Sequence, residues 1–242
     1  MFAELIVSHP NQRVRGLSAR AIKDIAVLAM LFDHFVAVFW GGEPLLGLLL
    51  RIPGRIAAPV MCYFIAEGFY HTRSLRRYAG RLLAFAALSH FPYVVYFELS
   101  WQHATGVMWP LFLGLLALAC AESRRPLPLR VLGVLGCCVL AYPGDWSHTA
   151  VLWVVVFGVF HGQWRRQVLG FAAVTALTFL LPSLWLQGPG QLVQLGVFLA
   201  LPLLAAYNGR RGRGGKLAKW GFYAFYPLHL TVLELLRLAL GV

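Results

Sequence analysis

Charged side chains are scarce in this chain. Only 12% of its 242 residues are Asp, Glu, Lys or Arg, and just 9 are acidic. Soluble domains carry about 25% charged residues, so this composition argues against an ordinary soluble domain. Hydrophobic residues make up 60% of the chain and fall in long runs separated by short basic loops. The pattern predicts an all-α fold, a polytopic transmembrane helical bundle with no separate soluble domain.

Cysteine is also rare, and its positions argue against two kinds of structure. All four cysteines lie within apolar runs and none has the spacing of metal ligands: Cys62, Cys120, Cys137 and Cys138. Adjacent cysteines seldom build a disulfide framework. We therefore expect buried thiols, no bound metal and no disulfide scaffold. The first 20 residues lack the layout of a signal peptide, so the apolar run after them is predicted to be a retained first span.

Proline and glycine clusters divide the apolar sequence into about nine candidate membrane helices. We expect two regions, a cytoplasmic basic N-terminal segment over 1–20 and a single transmembrane domain over 21–242. The nine helices are predicted at 21–40, 55–70, 81–98, 107–121, 129–142, 149–161, 168–186, 191–207 and 220–241.

Basic residues alternate between the two ends of these helices. The N-terminus and every second loop together hold 18 of the 21 Lys and Arg residues, while Arg51 and Arg55 lie on the opposite side. Cytoplasmic loops collect basic residues, so the N-terminus is predicted to be cytoplasmic. The net charge of +12 then indicates membrane topology and contact with anionic lipid, and no nucleic-acid partner is expected.

Ionisable residues inside apolar runs are costly and indicate a functional site. Asp33 and His34 interrupt the first run, and Glu67, His90 and His229 lie in later ones. We expect them to converge, with His34 as a proton acceptor oriented by Asp33 through a neighbouring helix. Adjacent residues point about 100° apart on a helix, so Asp33 and His34 cannot both face one cleft directly. The structural alternative is that these groups only tie helices together.

The last basic loop is rich in glycine. It runs from Asn208 to Lys219 and includes Arg210, Arg211 and Lys216. Backbone amides and guanidinium groups in such a loop can surround phosphates, and contact with lipid headgroups is the alternative. Pro227 is predicted to bend the following helix next to His229.

Four blocks of this sequence resemble TraX, the conjugal-transfer pilin N-acetylase family. The blocks occur in the family's order: IKDIA (22–26) with MLFDH (30–34), GRIAAP (54–59) with EGFYHTR (67–73), LGLLA (113–117), and YNG (207–209) with FYPLH (225–229). The third block is common membrane sequence, whereas the other three are specific.

The resemblance implies an acetyl-CoA-dependent N-acetyltransferase of the bacterial inner (cytoplasmic) membrane that acts on the N-terminal amine of a pilin subunit. At matching positions it implies an active site of Asp33, His34, Arg55, Glu67 and His229, and a coenzyme side at Asn208 and Arg210. His90 and Tyr226 are expected at the acceptor. The chain departs from the family pattern at His90, where an acidic residue is expected, and at Gly106 and Pro110, where Asn and Thr are expected.

Three other functions compete with this one at the level of sequence. An O-acetyltransferase acting on a glycan or a small molecule would use the same histidines. A proton-coupled transporter would use Asp33, Glu67 and His229 as a relay and would need no acyl donor. A non-catalytic assembly protein of a secretion apparatus would tolerate changes at Asp33 and His34.

Overall fold

The structure is helical throughout its described part. This computed structural model describes residues 16–182, 189–212 and 215–241, without the side chains of 189–192 and 216–219. These residues contain no β-strand, only two isolated backbone bridges, Leu17 with Tyr207 and Thr105 with Gly144. The prediction of an all-helical chain is confirmed for this part.

Each of the nine predicted segments overlaps helical structure, although the limits differ. Residues 183–186 of the segment predicted at 168–186, and residues 1–15 of the predicted N-terminal segment, lie outside the described residues. The α-helices are α1 (Ala19–Phe39), α2 (Pro44–Leu50), α3 (Ala57–His71), α4 (Leu75–Tyr96), α5 (Met108–Ala121), α6 (Leu127–Leu140), α7 (Ser147–Val159), α8 (Trp164–Thr175), α9 (Ala200–Ala205) and α10 (Lys216–Leu240). A 3₁₀ turn at Pro53–Ile56 precedes α3, a π-helical turn at Ala176–Leu180 extends α8, and a 3₁₀ segment at Pro189–Leu199 precedes α9.

The short helix α2 was not predicted. Glu43 caps it, since its carboxylate accepts the Leu46 backbone N–H at 2.7 Å, and Pro44 occupies the first helical turn, where its missing N–H costs nothing. The 3₁₀ turn that follows packs closely on α1. A Cβ at Gly54 would lie 2.2 Å from the Cβ of Asp33. The approach to α3 is therefore a folded element that contacts α1, and not a simple loop.

The start of α1 is joined to the loop before α10. Leu17 donates its N–H to the Ala206 carbonyl at 2.7 Å, Asn208 donates to Leu17 at 2.9 Å, and Ala19 donates to the Arg210 carbonyl at 2.8 Å. The Ser18 hydroxyl caps α1 by accepting the Ala21 N–H. Two segments about 190 residues apart thus form one end of the bundle.

The core of the bundle lies where α3, α5 and α7 pack together. Trp153 and Phe157 of α7 and Leu115 and Leu118 of α5 are fully buried there. Gly158 lets α7 approach α5 closely, since a Cβ at that position would lie 2.3 Å from the Leu118 side chain. Such close contacts favour small residues between membrane helices.

Helix α6 lies at the periphery and presents an apolar outer face. Its Leu132 is 66% exposed and its Val139 74% exposed, and Cys137 is its one buried residue. A water-soluble monomer rarely exposes a large continuous apolar patch. Among the described residues, one helical stretch, Pro44–His71, is long and apolar enough to cross a bilayer by itself. Four other helices are apolar but shorter: Met108–Ala121, Leu127–Leu140, Ser147–Val159 and Val193–Ala205.

Candidate active site

Two histidines from distant parts of the chain form a direct pair in the interior. His34 of α1 and His229 of α10 are 7% and 5% exposed. Their rings stack with centroids 5.0 Å apart and planes 14° apart, and Nδ1 of His34 lies 2.8 Å from Nε2 of His229. The structure therefore brings together the two histidines that the sequence placed at membrane depth.

A backbone carbonyl determines which nitrogen of each ring carries a proton. Nδ1 of His229 lies 2.8 Å from the carbonyl oxygen of Phe225, one turn earlier in α10. A carbonyl only accepts hydrogen bonds, so Nδ1 of His229 must donate. In the neutral ring Nε2 of His229 is then an acceptor, and Nδ1 of His34 donates to it. Nε2 of His34 therefore keeps an unprotonated lone pair, as a general base requires.

Aromatic residues enclose the histidine pair. The Phe97 ring meets His34 edge to face at 5.3 Å, and the Phe225 ring stacks on His229 at 4.7 Å. Tyr96 donates its hydroxyl hydrogen to the His34 carbonyl at 2.7 Å. This enclosure fixes the backbone of α1 at His34 and limits the access of water to the two imidazoles.

Asp33 does not orient His34, contrary to the expectation from sequence. Its Oδ1 accepts from Arg55 Nη2 at 2.5 Å and from Arg51 Nε at 3.0 Å. Arg55 also donates to the side chain of Gln194 at 3.3 Å. The expectation failed because Asp33 and His34 point in different directions on α1, and α2 and the 3₁₀ turn supply two guanidinium groups on the Asp33 side. The His229 ring orients His34 instead.

A cavity of about 850 Å³ opens at the end of the bundle that holds the start of α1. Its lining is strongly cationic, and Glu67 supplies the one carboxylate among the described residues that line it. Aromatic rings cover two of the cations, since the Lys23 ammonium lies 4.7 Å from the Phe64 ring centroid and the Arg81 guanidinium 5.5 Å from that of Tyr78. The cationic lining residues are Arg20, Lys23, Arg73, Arg77, Arg81 and Arg211.

The aromatic part of the lining connects this cavity to the histidine pair. Phe225 and Tyr226 of α10 line the cavity. The same two rings contact His229, and the Tyr226 ring centroid also lies 6.5 Å from that of His34. The Tyr226 hydroxyl accepts the Val107 N–H at 3.3 Å, which fixes the ring. A ligand that fills the cavity therefore reaches the aromatic wall of the pair.

The loop predicted to bind the coenzyme contributes to the cavity only in part. Asn208 donates its side-chain amide hydrogen to the Gly16 carbonyl and accepts the Arg210 N–H, so it shapes the loop. Arg210 and Asn208 are absent from the cavity lining, whereas Arg211 belongs to it. The side chain of Lys216 lies outside the described part of the chain.

Two other predicted residues lie away from the pair. Glu67 lines the cavity and accepts from His161 Nε2 at 3.0 Å, with His71 Nδ1 at 3.7 Å. His90 contacts the Thr105 hydroxyl at 3.3 Å, next to the loop between α4 and α5. The structure assigns His90 no contact with His34 or His229, and its role at the acceptor stays a prediction.

Sequence reasoning missed several groups around the site. The sequence predicts Arg77 and Arg81 in a basic cytoplasmic loop, with Arg77 as a candidate helix-end partner of Glu67, and it predicts Arg51 on the opposite side. The signal for the first two was their spacing, since residues four apart lie on one face of a helix. Within the described residues, no group of three or more His, Cys, Asp or Glu side chains could hold a metal ion.

Comparison with known proteins agrees with these motifs. Probable fimbrial assembly protein FimC, serogroup H1, of Dichelobacter nodosus is 30% identical over 236 residues, covering 89% of this chain and 94% of that protein. No solved structure matches the chain. The TraX protein family matches residues 18–237, which include both histidines of the pair and every described cation of the cavity. The chain therefore belongs to the TraX family.

Proposed function

We propose that this protein is a membrane-embedded acetyltransferase that moves the acetyl group of acetyl-CoA to an acceptor amine, the N-terminus of a pilin subunit. The observation that carries the proposal is the cation-lined cavity, whose aromatic wall also contacts the His34–His229 pair. The phosphates of a polyanionic donor fit the cationic side of the cavity. Its acyl end would then lie at the aromatic wall, behind which His34 is the proposed general base.

The cations of the cavity suit the phosphates of the coenzyme. Arg73 comes from the α3–α4 connection and Arg77 and Arg81 from the first turns of α4. Arg20 and Lys23 come from the first turns of α1, and Arg211 from the loop before α10. Guanidinium groups bind phosphate oxygens in pairs of parallel hydrogen bonds. The cavity volume of about 850 Å³ lies within the range of cofactor sites.

The histidine pair supports a base-assisted acyl transfer. As the acceptor nitrogen attacks the thioester carbonyl, Nε2 of His34 takes its proton. The new imidazolium shares its charge with His229 through the 2.8 Å contact, and His229 in turn donates to Phe225. The carbon–sulfur bond breaks, and the coenzyme thiolate leaves into a cavity of positive charge.

The proposed setting is a multi-pass protein of the bacterial inner membrane. The apolar outer face of α6 supports contact with lipid. The cavity opens at the end that carries the basic loops, which the distribution of Lys and Arg assigns to the cytoplasm, where acetyl-CoA is made. The TraX family and the fimbrial assembly relative support a pilin as the acceptor.

The test uses the full chain in lipid nanodiscs. Equilibrium binding of acetyl-CoA is compared with that of acetyl-pantetheine, which keeps the thioester but lacks the nucleotide phosphates. Transfer of labelled acetyl to a synthetic peptide with the amino-terminal sequence of the host's pilin is then followed. We expect tight binding only of acetyl-CoA, and label on the peptide's α-amine. Equal binding of the two donors, or no label on the peptide, would contradict the proposal.

A further inference from the structure

Five helices enclose the cavity in a ring. Around this ring α1 packs on α3, α3 on α5, α5 on α4, α4 on α10, and α10 on α1. Each of the five helices contributes side chains to the lining. The histidine pair belongs to α1 and α10, which are neighbours in the ring. Helix α5 therefore lies across the cavity from the pair.

The lining extends far into the bundle. Helix α1 begins at the mouth of the cavity and α3 ends there, so later residues of α1 and earlier residues of α3 lie deeper. The lining residues of α1 run from Ala19 to Met30, and those of α3 run from Met61 to His71. At a rise of 1.5 Å per residue each set spans roughly 15 Å, so the two helices agree on the depth.

The lining changes from charged to apolar along this depth. Its cations belong to the first turns of α1 and α4 and to the loops at the mouth, and Glu67 and His71 belong to the end of α3. A polar part of a ligand would lose its water in the deeper part, whereas methylene groups would gain from burial there. The deeper aliphatic lining is formed by Val27, Met30, Met61, Ile65, Met108 and Leu111.

Methionine is concentrated in this deeper part. The chain has four methionines, and the three after the first residue all line the cavity, each from a different helix. Met30 lies four residues before His34 and so on the same face of α1. Met108 follows Val107, whose N–H donates to the Tyr226 hydroxyl at 3.3 Å. Flexible, polarisable methionine side chains adapt to apolar ligands of different shape.

We infer that the deep wall formed by Met61 and Ile65 of α3 and Met108 and Leu111 of α5 is an acyl subsite, and that it accepts acyl groups longer than acetyl. This inference rests on the proposed function. The single methyl group of an acetyl donor would cover only a small part of this wall. Because α5 lies across the cavity from the histidine pair, the thioester carbonyl can face the pair while its acyl chain points toward α5.

The bonds exchanged are the same for each acyl group. The acceptor nitrogen forms a bond to the acyl carbon and gives a proton to Nε2 of His34. The carbon–sulfur bond breaks with its electron pair on sulfur, and the coenzyme thiolate leaves. The substrate class is therefore a coenzyme A thioester of a short saturated acyl group.

The first experiment is a chain-length series with the wild-type protein. Binding of coenzyme A, acetyl-CoA, propionyl-CoA and butyryl-CoA to the full chain in nanodiscs is measured by calorimetry, with empty nanodiscs as the blank for partition into lipid. We expect the affinity to rise about fourfold with each methylene added to acetyl-CoA, the fold-change that full burial of one CH₂ gives. Equal affinities for acetyl-CoA and butyryl-CoA would overturn the inference.

The second experiment changes the deep wall itself. M61F places a bulky ring where the acyl chain would lie, and L132F is the control, because Leu132 is 66% exposed on the outer face of α6. M61F should weaken butyryl-CoA binding at least ~10-fold, which removes the gain from two methylenes, and should change coenzyme A binding less than about twofold. L132F should reproduce the wild-type series.

The two experiments separate this inference from the proposed function. Equal weakening of coenzyme A and butyryl-CoA by M61F, or a chain-length dependence that M61F leaves intact, would overturn the acyl subsite. A wild type that binds acetyl-CoA no better than acetyl-pantetheine would instead contradict the proposed function, whatever the chain-length dependence.

Discussion

The two ends of the bundle use charge in opposite ways. At the cavity end, six of the described cations line an open volume together with one described carboxylate, that of Glu67. Among these six cations, only Arg20 forms an ion pair within the described residues, with Asp24. At the other end, the cations are held by carboxylates: Asp33 binds Arg51 and Arg55, and Arg237 binds Glu98 and Glu234. Charges that are already neutralised stabilise the fold, whereas uncompensated cations around a cavity attract an anion.

This contrast indicates how the molecule separates its tasks. In the proposed function the cavity end binds a polyanion, whereas the paired end fixes α1 against α2 and the turn before α3. The His34–His229 pair lies between the two ends and has no carboxylate partner among the described residues. Changes at the cavity end should therefore alter donor binding, changes at the paired end should alter stability, and changes between them should alter the chemistry.

The largest effect is expected between the two ends. H34A removes the proposed base and should lower acetyl transfer by at least ~100-fold, the usual contribution of general base catalysis. Acetyl-CoA binding should change little, because His34 lies behind the aromatic wall of the cavity. Labelled acetyl transfer in nanodiscs measures the rate. H103A, which removes an exposed histidine, should match the wild type, and full activity of H34A would remove the histidine pair from the mechanism.

At the paired end, D33N should destabilise the fold. Asp33 is 8% exposed and Arg55 11% exposed at their side chains, so loss of the carboxylate charge leaves two guanidinium groups without compensation. We expect the free energy of unfolding to fall by about 3 kcal/mol, the range for breaking a buried pair. Thermal unfolding in detergent measures it. D24N, which breaks an exposed pair, should cost less than about 1 kcal/mol.

The contact between α1 and the turn before α3 predicts a smaller loss. G54A places a methyl group 2.2 Å from the Asp33 Cβ, so one backbone must move. We expect about 2 kcal/mol of destabilisation, typical of overpacking. G80A is the matched control, because nothing lies within 4 Å of a Cβ there. Equal melting temperatures for the two variants would mean that the turn does not pack on α1 as described.

The smallest effect is expected at the cavity end. The double variant R77Q/R81Q should weaken acetyl-CoA binding about tenfold, or ~1.4 kcal/mol, with an unchanged rate at saturation. Added salt should narrow the difference from the wild type, because screening weakens the remaining cations. R124Q/R125Q changes two exposed arginines outside the cavity lining and should bind like the wild type. Calorimetric titration distinguishes the two, and equal affinities would exclude the cavity as the donor site.

Much of the fold followed from the sequence because apolar runs and Pro–Gly breaks are local signals. The nine predicted segments overlap helical structure, and α5 was predicted to within one residue. Helix α2 was missed because a seven-residue apolar stretch is too short to show helical periodicity. The resemblance to TraX proteins is confirmed by the family match, since its motifs are specific residue strings.

Side-chain partners were harder to predict because they depend on the angle at which helices pack. The sequence suggested that His34 and His229 meet, and they do. It also suggested that Asp33 orients His34, whereas Asp33 binds Arg51 and Arg55. The short polar loop before α7 resembles any exposed turn in the sequence. Its backbone bridge to Thr105 joins segments far apart in the chain and therefore has no local signal.

The backbone joint between residues 17–20 and 206–211 has a consequence for synthesis in the cell. The donor cavity needs the first turns of α1 together with Arg211 and the aromatic residues of α10, so it cannot exist until nearly the whole chain has been made. A ribosome-bound or prematurely terminated chain therefore lacks a complete cavity. Under the proposed function, such a chain would be unable to bind the donor until the last helix has packed.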